Sequence, residues 1–149
     1  MMNLTKNFTL QEMVFSPTAI KKGISNKPTE QHIKNMQILA EKVLQPIREH
    51  MDCSINVTSG YRAASLNAII GGSTTSQHCF GQAADLQVEG RNHEMFKFIK
   101  ENLEFDQLIW EFGTDSEPSW VHVSYAEGKN RKQCLKAVKE KGKTQYLKV

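Results

Sequence analysis

Three polar side chains stand inside segments that otherwise have the composition of core: His78, Asp85 and His122. The stretch Gln82-Ala83-Ala84-Asp85-Leu86-Gln87-Val88 alternates as a strand does, so Ala83, Asp85 and Gln87 share one face and Ala84, Leu86 and Val88 the other. Asp85 then leaves the sheet beside small neighbours, where a carboxylate needs a partner. In Ser119–Tyr125, Trp120, His122 and Ser124 share one face, with Val121 and Val123 opposite. If these strands are neighbours, Asp85 and His122 face each other. His78 lies in the loop just before the first strand, and Gly81 permits the sharp turn that folds it back toward Asp85.

Two imidazoles and one carboxylate suit a zinc ion, and three protein ligands leave a fourth position open, as catalytic rather than structural zinc requires. Hydrolysis is the natural chemistry, because such an ion brings the pKa of its water to about 7 and polarises a carbonyl. Taken singly, each residue also has an ordinary reading as a satisfied histidine or a paired aspartate, and spacing alone leaves both readings open. Cys79 could add a thiolate ligand, but its small apolar character favours burial. His32, His50 and His93 have no comparable setting and read as solvated.

The elements that must position these residues are readable from periodicity. Thr9 with Glu12 forms a capping box that opens a short helix over 9–14, and Ser16-Pro17 breaks it. From Pro28-Thr29, the residues Ile33, Met36, Leu39, Ala40, Val43, Leu44, Ile47 and Met51 repeat at helical spacing and predict an amphipathic helix over 29–51. Residues 55–59 read as a strand ending at Gly60, followed by a short helix near 62–69 that carries Leu66 and Ile69 inward. Residues 71–81 read as loop. Asn92 is placed to cap a helix over 93–102. Strands are expected at 105–112, 119–125 and 131–138, the first two joined by a polar turn through Glu117 and Pro118. Helices first and mostly antiparallel strands afterwards indicate an α+β class, with the sheet packed against helices.

The chain has 149 residues, the size of one domain, so residues 1–149 are expected to form a single unit. No apolar run approaches the roughly 20 residues that span a bilayer. Three cysteines at 53, 79 and 134, with no C-x-x-C pair, suggest neither a disulfide framework nor a zinc knuckle. The N-terminus shows no secretory signal, so synthesis in the cytoplasm is expected, with any substrate outside the membrane reached after release or delivery. Charge is uneven: residues 128–149 hold eight Lys or Arg against one Glu, while the rest of the chain is mildly acidic. Nucleic acid is not the expected partner, since Tyr146 is the sole aromatic residue of that basic segment and stacking platforms are lacking.

The segments SGYR at 59–62, Asn67, GGS at 71–73, SQHCFGQAAD at 76–85 and WVHVS at 120–124 resemble the zinc D-Ala-D-Ala carboxypeptidase family, whose catalytic domain shares its fold with the hedgehog signalling domain. The joint pattern S-x-H-x-x-G-x-A-x-D followed by W-x-H is specific, and the block runs from Ser59 to Ser124. The resemblance implies that His78, Asp85 and His122 bind one zinc ion, that Arg62 contacts the substrate carboxylate or the polarised carbonyl, and that Ser76 lines the pocket. A planar guanidinium is suited to bidentate capture of a carboxylate. Many members carry a Glu or Asp three residues before the last histidine, where this chain has Ser119. Glu111 and Glu117 are then the candidates for the catalytic base; Glu111, ending a strand, is preferred over Glu117, which sits in the polar turn and reads as solvated.

The implied activity is a zinc peptidase acting on peptidoglycan stem peptides or cross-links, as a D,D-carboxypeptidase or an endopeptidase of the endolysin kind, with a phage or prophage setting and a monomeric state expected. The alternative is a zinc-bearing module of the same fold that binds cell wall or protein without turnover. The basic segment follows the last expected ligand, so it is expected to be dispensable for the chemistry and to attract anionic wall polymers.

Overall fold

Two periodicities become two layers in the computed structural model, which describes residues 2–149. The helical repeat forms one rod made of α3 (Glu30–Leu39), a π-helical turn (Ala40–Leu44) and α4 (Gln45–Met51). Pro46 accounts for the change of step: with no N–H to donate to the Lys42 carbonyl, it cannot continue the α ladder, and the wider turn lies just before it. Met36, Leu39, Ala40, Val43, Leu44, Ile47 and Met51 are buried along this rod. His32 closes a capping box at its start, with its Nδ1 accepting from the Thr29 amide.

The capping box of Thr9 and Glu12 opens α1 (Leu10–Val14) as expected. Ser16-Pro17 ends that helix and also begins another, α2 (Pro17–Lys22), because the Ser16 hydroxyl accepts from the Ala19 amide and proline suits the first helical position. Helix α5 (Ala64–Ile70) buries Leu66 but leaves Ile69 52% exposed, correcting its inward assignment. With only seven residues, α5 turns one narrow face inward, at Leu66 and Asn67. The expected loop at 71–81 contains a 3₁₀ turn, Gln77–Phe80.

The second layer is one six-stranded sheet in the order β1-β2-β4-β3-β5-β6, and the chain is of the α+β class. Its strands are β1 (Asn56–Ser59), β2 (Ala83–Gln87), β3 (Gln107–Glu111), β4 (Trp120–Ser124), β5 (Gln133–Glu140) and β6 (Lys143–Lys148). All neighbours are antiparallel except β3 and β5, which run parallel. Ala84, Leu86, Leu108, Val121 and Val123 face the core shared with the helical rod and with Met95, Phe96 and Ile99 of α6 (Asn92–Asn102). The alternate residues point to the other face, which is the floor of a groove.

The basic segment is not an appendage. Residues 133–137 pair with β3, and a Lys141-Gly142 turn with positive φ at both positions reverses the chain into β6. Leu135 and Ala137 are buried there against Ile109 and Phe112.

Asn92 is not the cap of α6. That position falls to Arg91, and the buried Asn92 amide brackets two backbone segments. Its Oδ1 accepts from the Val88 amide at 2.7 Å, and its Nδ2 donates to the carbonyls of Pro118 and Ser119 at 3.0 and 3.2 Å. This ties the end of β2 to the start of β4, the two strands that carry Asp85 and His122. Asn92→Ala is therefore expected to cost about 2 kcal/mol, the penalty for stranding buried polar groups. Asn92→Asp would serve a cap equally well but cannot donate to two carbonyls, so it should destabilise at least as much; urea midpoints for the three proteins check this.

Candidate metal centre

Strand register brings the first two ligands together. Asp85 and His122 are direct cross-strand partners in the β2–β4 ladder, and His122 Nδ1 lies 3.0 Å from Asp85 Oδ1. His78 enters from the 3₁₀ turn, with its Nε2 3.4 Å from the same oxygen. Gly81 ends that turn in a left-handed conformation, φ +73, and a Cβ there would stand 2.6 Å from the His32 carbonyl of α3. Glycine thus permits both the turn and its docking on the helical rod. The donor atoms of His78, Asp85 and His122 all lie within 4.8 Å of one another, so this group can hold a metal ion.

The orientation of His78 is fixed from behind. Its Nδ1 is 2.7 Å from the Gly60 carbonyl, which can only accept, so Nδ1 carries the proton and Nε2 is left free to face Asp85. The SGYR segment holds the turn at one further point and is itself tied to α1. The Arg62 amide donates to the His78 carbonyl, and the Tyr61 amide donates to the Met13 carbonyl of α1. A Cβ on Gly60 would meet that Met13 oxygen at 2.3 Å.

The charge states suit ligation. Burial, opposed by Asp85, keeps His78 below its ordinary value and hence neutral. Burial alone would raise Asp85, but the adjoining histidines His78 and His122 outweigh it and hold the carboxyl far below the usual range. A neutral imidazole and an ionised carboxylate are the forms that bind a cation.

Glu111 stands one position along the same face, ending β3 beside Trp120. It is 8% exposed, and burial lifts its carboxyl to about 7, with Asp85 adding to the rise and His122 opposing it. A cation held by the triad would draw that value back down. Glu117 is turned away: its carboxylate accepts from the His93 amide at 3.0 Å and pairs with the His93 ring. Arg62 and Ser76 line the groove, whose volume is about 1240 Å³, and the Ser76 hydroxyl accepts from the His78 amide. The buried Arg62 Nε has no hydrogen-bond partner among the described residues. Cys79 does not join the converging donors. His50 and His93 are exposed, as expected, while His32 is half-buried in its cap.

A family model described as Peptidase M15 matches residues 6–124, a span holding all three converging donors, Arg62, Ser76 and Glu111. The chain belongs to the peptidase M15 family. This agrees with the resemblance carried by SGYR, SQHCFGQAAD and WVHVS. No curated protein matches the chain. Strands β5 and β6 lie beyond the M15 match and wall the groove through Gln133, Leu135, Tyr146 and Lys148, although they carry none of the three converging donors.

Asp106 is the M15 site's unforeseen anchor. Its buried carboxylate accepts from Gln77 Nε2 at 2.9 Å, from Arg131 Nε and Nη2 at 2.9 Å each, and from the Arg131 amide at 3.0 Å. It thereby joins the turn carrying His78 to β3 and to the approach to β5. The Arg131 hydrogen bonds, against burial, hold its pKa below the ordinary value. A depressed carboxyl contributes stability in full above the unfolded value of about 4 and loses it as pH falls through the folded value. Asp106→Asn should cost about 2 kcal/mol at pH 7 and much less at pH 2 to 3. Urea midpoints measured at both pH values test this, and an equal gap at both would contradict the assignment.

Proposed function

We propose that this chain is a zinc peptidase that cleaves D-amino-acid-containing bonds of peptidoglycan stem peptides or cross-links, as a D,D-carboxypeptidase or murein endopeptidase. The observation that carries the reading is the convergence of His78, Asp85 and His122 on the floor of a groove, with a buried carboxyl and an unpartnered guanidinium nitrogen beside them. The chemistry a zinc ion would supply on these three ligands is acidification of a water and polarisation of the scissile carbonyl.

The protein's own groups account for the remaining tasks. Glu111, held at the end of β3 beside the ligand pair, takes the proton of the attacking water and later delivers it to the leaving amine. Its burial raises its proton affinity above that of an ordinary carboxyl and a cation on the triad opposes that rise, so the group serves first as base and then as acid. Arg62 offers free N–H groups to the terminal carboxylate of the peptide or to the developing oxyanion. Gly60 and Asp106 keep the His78 turn from shifting while this happens. The setting we favour is a phage or prophage wall hydrolase delivered to the cell wall after synthesis, its basic hairpin attracted to anionic wall polymers.

Ser119 supports a second reading, a zinc-bearing module that binds without turnover, because many family members have a carboxylate at that position. In this chain the Ser119 backbone is occupied by Asn92, Gln87 and Glu111, and its side chain is exposed.

One set of proteins separates the two. Zinc-loaded wild type incubated with muropeptides should release D-alanine or open cross-links, seen by mass spectrometry as the mass lost. Glu111→Gln should retain the metal and lose about 10²- to 10⁴-fold in turnover, the usual size of general acid–base catalysis. His122→Ala should lose the metal. A wild type that holds zinc, binds muropeptides and leaves their masses unchanged would favour the binding module.

A further inference from the structure

The ladder that pairs Asp85 with His122 continues across the sheet. His122 is opposite Ile109, Ile109 opposite Leu135, and Leu135 opposite Lys148. The next row runs Trp120, Glu111, Ala137, Tyr146. Cross-strand partners project from the same face, so Tyr146 and Lys148 stand on the face that bears the metal ligands. Two observations agree with this placement. Both residues line the groove, and burial together with the charges of Glu111 and Asp85 pushes the Tyr146 phenol above its ordinary value, which puts it within electrostatic range of the site.

Three cations line the groove: Arg62, Arg131 and Lys148. Arg131 is committed to Asp106. Arg62 follows β1, on one side of the ligand pair, and Lys148 lies on β6, at the opposite edge of the sheet. Lys148 is exposed and forms no ion pair among the described residues, whereas Lys136 of the same hairpin pairs with Asp115. The arrangement is a groove with a free cation on either side of the ligand pair.

We infer that the C-terminal hairpin is a specificity wall, in which Lys148 binds a carboxylate on the N-terminal side of the scissile bond of the peptide whose terminal carboxylate Arg62 holds. This rests on the peptidase reading for the direction of the peptide. Strands are spaced about 4.8 Å apart, so Lys148 lies three strands, about 14 Å, from His122 along the ladder. An extended peptide advances about 3.3 Å per residue, and allowing for the reach of the lysine side chain the carboxylate belongs about two to four residues from the bond. The preferred substrate class is an acidic peptide with a neutral, small C-terminus. A lysine on an edge strand also guards against strand addition, but that role calls for no ligand preference, and the two are separable.

The test uses the zinc-loaded full chain and acetylated peptides ending in D-Ala-D-Ala. One peptide carries Gln at the second, third and fourth residues before the scissile bond, and three others carry Glu in place of each Gln in turn. Calorimetric titration should show one Glu peptide binding about fivefold more tightly than the all-Gln peptide, the size of one exposed ion pair, and the preference should shrink as salt is raised. Lys148→Met should erase the preference while leaving affinity for the all-Gln peptide unchanged, and Lys148→Arg should keep it. No preference in wild type at any position, or a preference that survives in Lys148→Met, overturns the inference. D-alanine release is followed separately. Release without any Glu preference overturns the hairpin inference alone, and a Lys148-dependent preference without release overturns the peptidase reading alone.

Discussion

Asp85 carries its charge with a side chain only 16% exposed, and everything around the site answers to that carboxylate. A charge so far removed from water must be met by partners at close range or it protonates. The β2–β4 register supplies one partner, His122, at no conformational cost beyond forming the sheet. The other, His78, comes from a 3₁₀ turn and has to be held by separate means: a carbonyl behind its ring, the Arg62 amide on its own carbonyl, a glycine that lets the turn lie against the helical rod, and Gln77 anchored to Asp106. The second carboxylate, Glu111, shows what happens when the partners are withheld. On the same face, without a hydrogen bond to either imidazole, its proton is held near neutrality. Two acids on adjacent rows of one sheet are thus driven in opposite directions by how closely histidines meet them.

Much of this could be read before any coordinates. Alternation in 82–88 and 119–125 correctly put Asp85 and His122 on faces opposite Leu86 and Val121, because side-chain direction in a strand has a period of two and nothing tertiary can alter it. The helical repeat through Met36 and Leu44 was equally plain. What escaped has a common cause: residues whose roles depend on distant backbone. Asn92 sits where a cap would sit, and only the approach of Pro118 and Ser119 shows that its amide is spent elsewhere. Asp106 carries the same signal as Asp85, a carboxylate amid apolar residues, yet its partner Arg131 is remote in sequence and lies in the basic segment, which the sequence alone did not connect to the site. Ser16-Pro17 marked an end legibly and a beginning less so, since a serine before proline serves either purpose.

Strand β5 answers to the strand expected at 131–138, whereas β6 was the hardest to anticipate. Lys141-Gly142 is a weaker turn signal than Asn-Gly, and a strand written Lys-Thr-Gln-Tyr-Leu-Lys has no buried face to impose a pattern. Even so, alternation was present: Thr144, Tyr146 and Lys148 share the groove face and Gln145 and Leu147 the other. The family match stops at residue 124, before the two strands that complete the groove.

The parallel pairing of β3 with β5 has a consequence for assembly of the molecule. Until β5 docks, β3 is an edge strand, with one row of backbone donors and acceptors open and with Ile109 uncovered on the groove face. Parallel partners cannot be joined by a tight turn, so this edge waits for the chain to travel back through β4 and the loop beyond it. During synthesis the strand that bears Glu111 is therefore complete well before its neighbour is. The lysines of the hairpin then close the sheet with an edge that disfavours further strand addition, in the same step that finishes the groove.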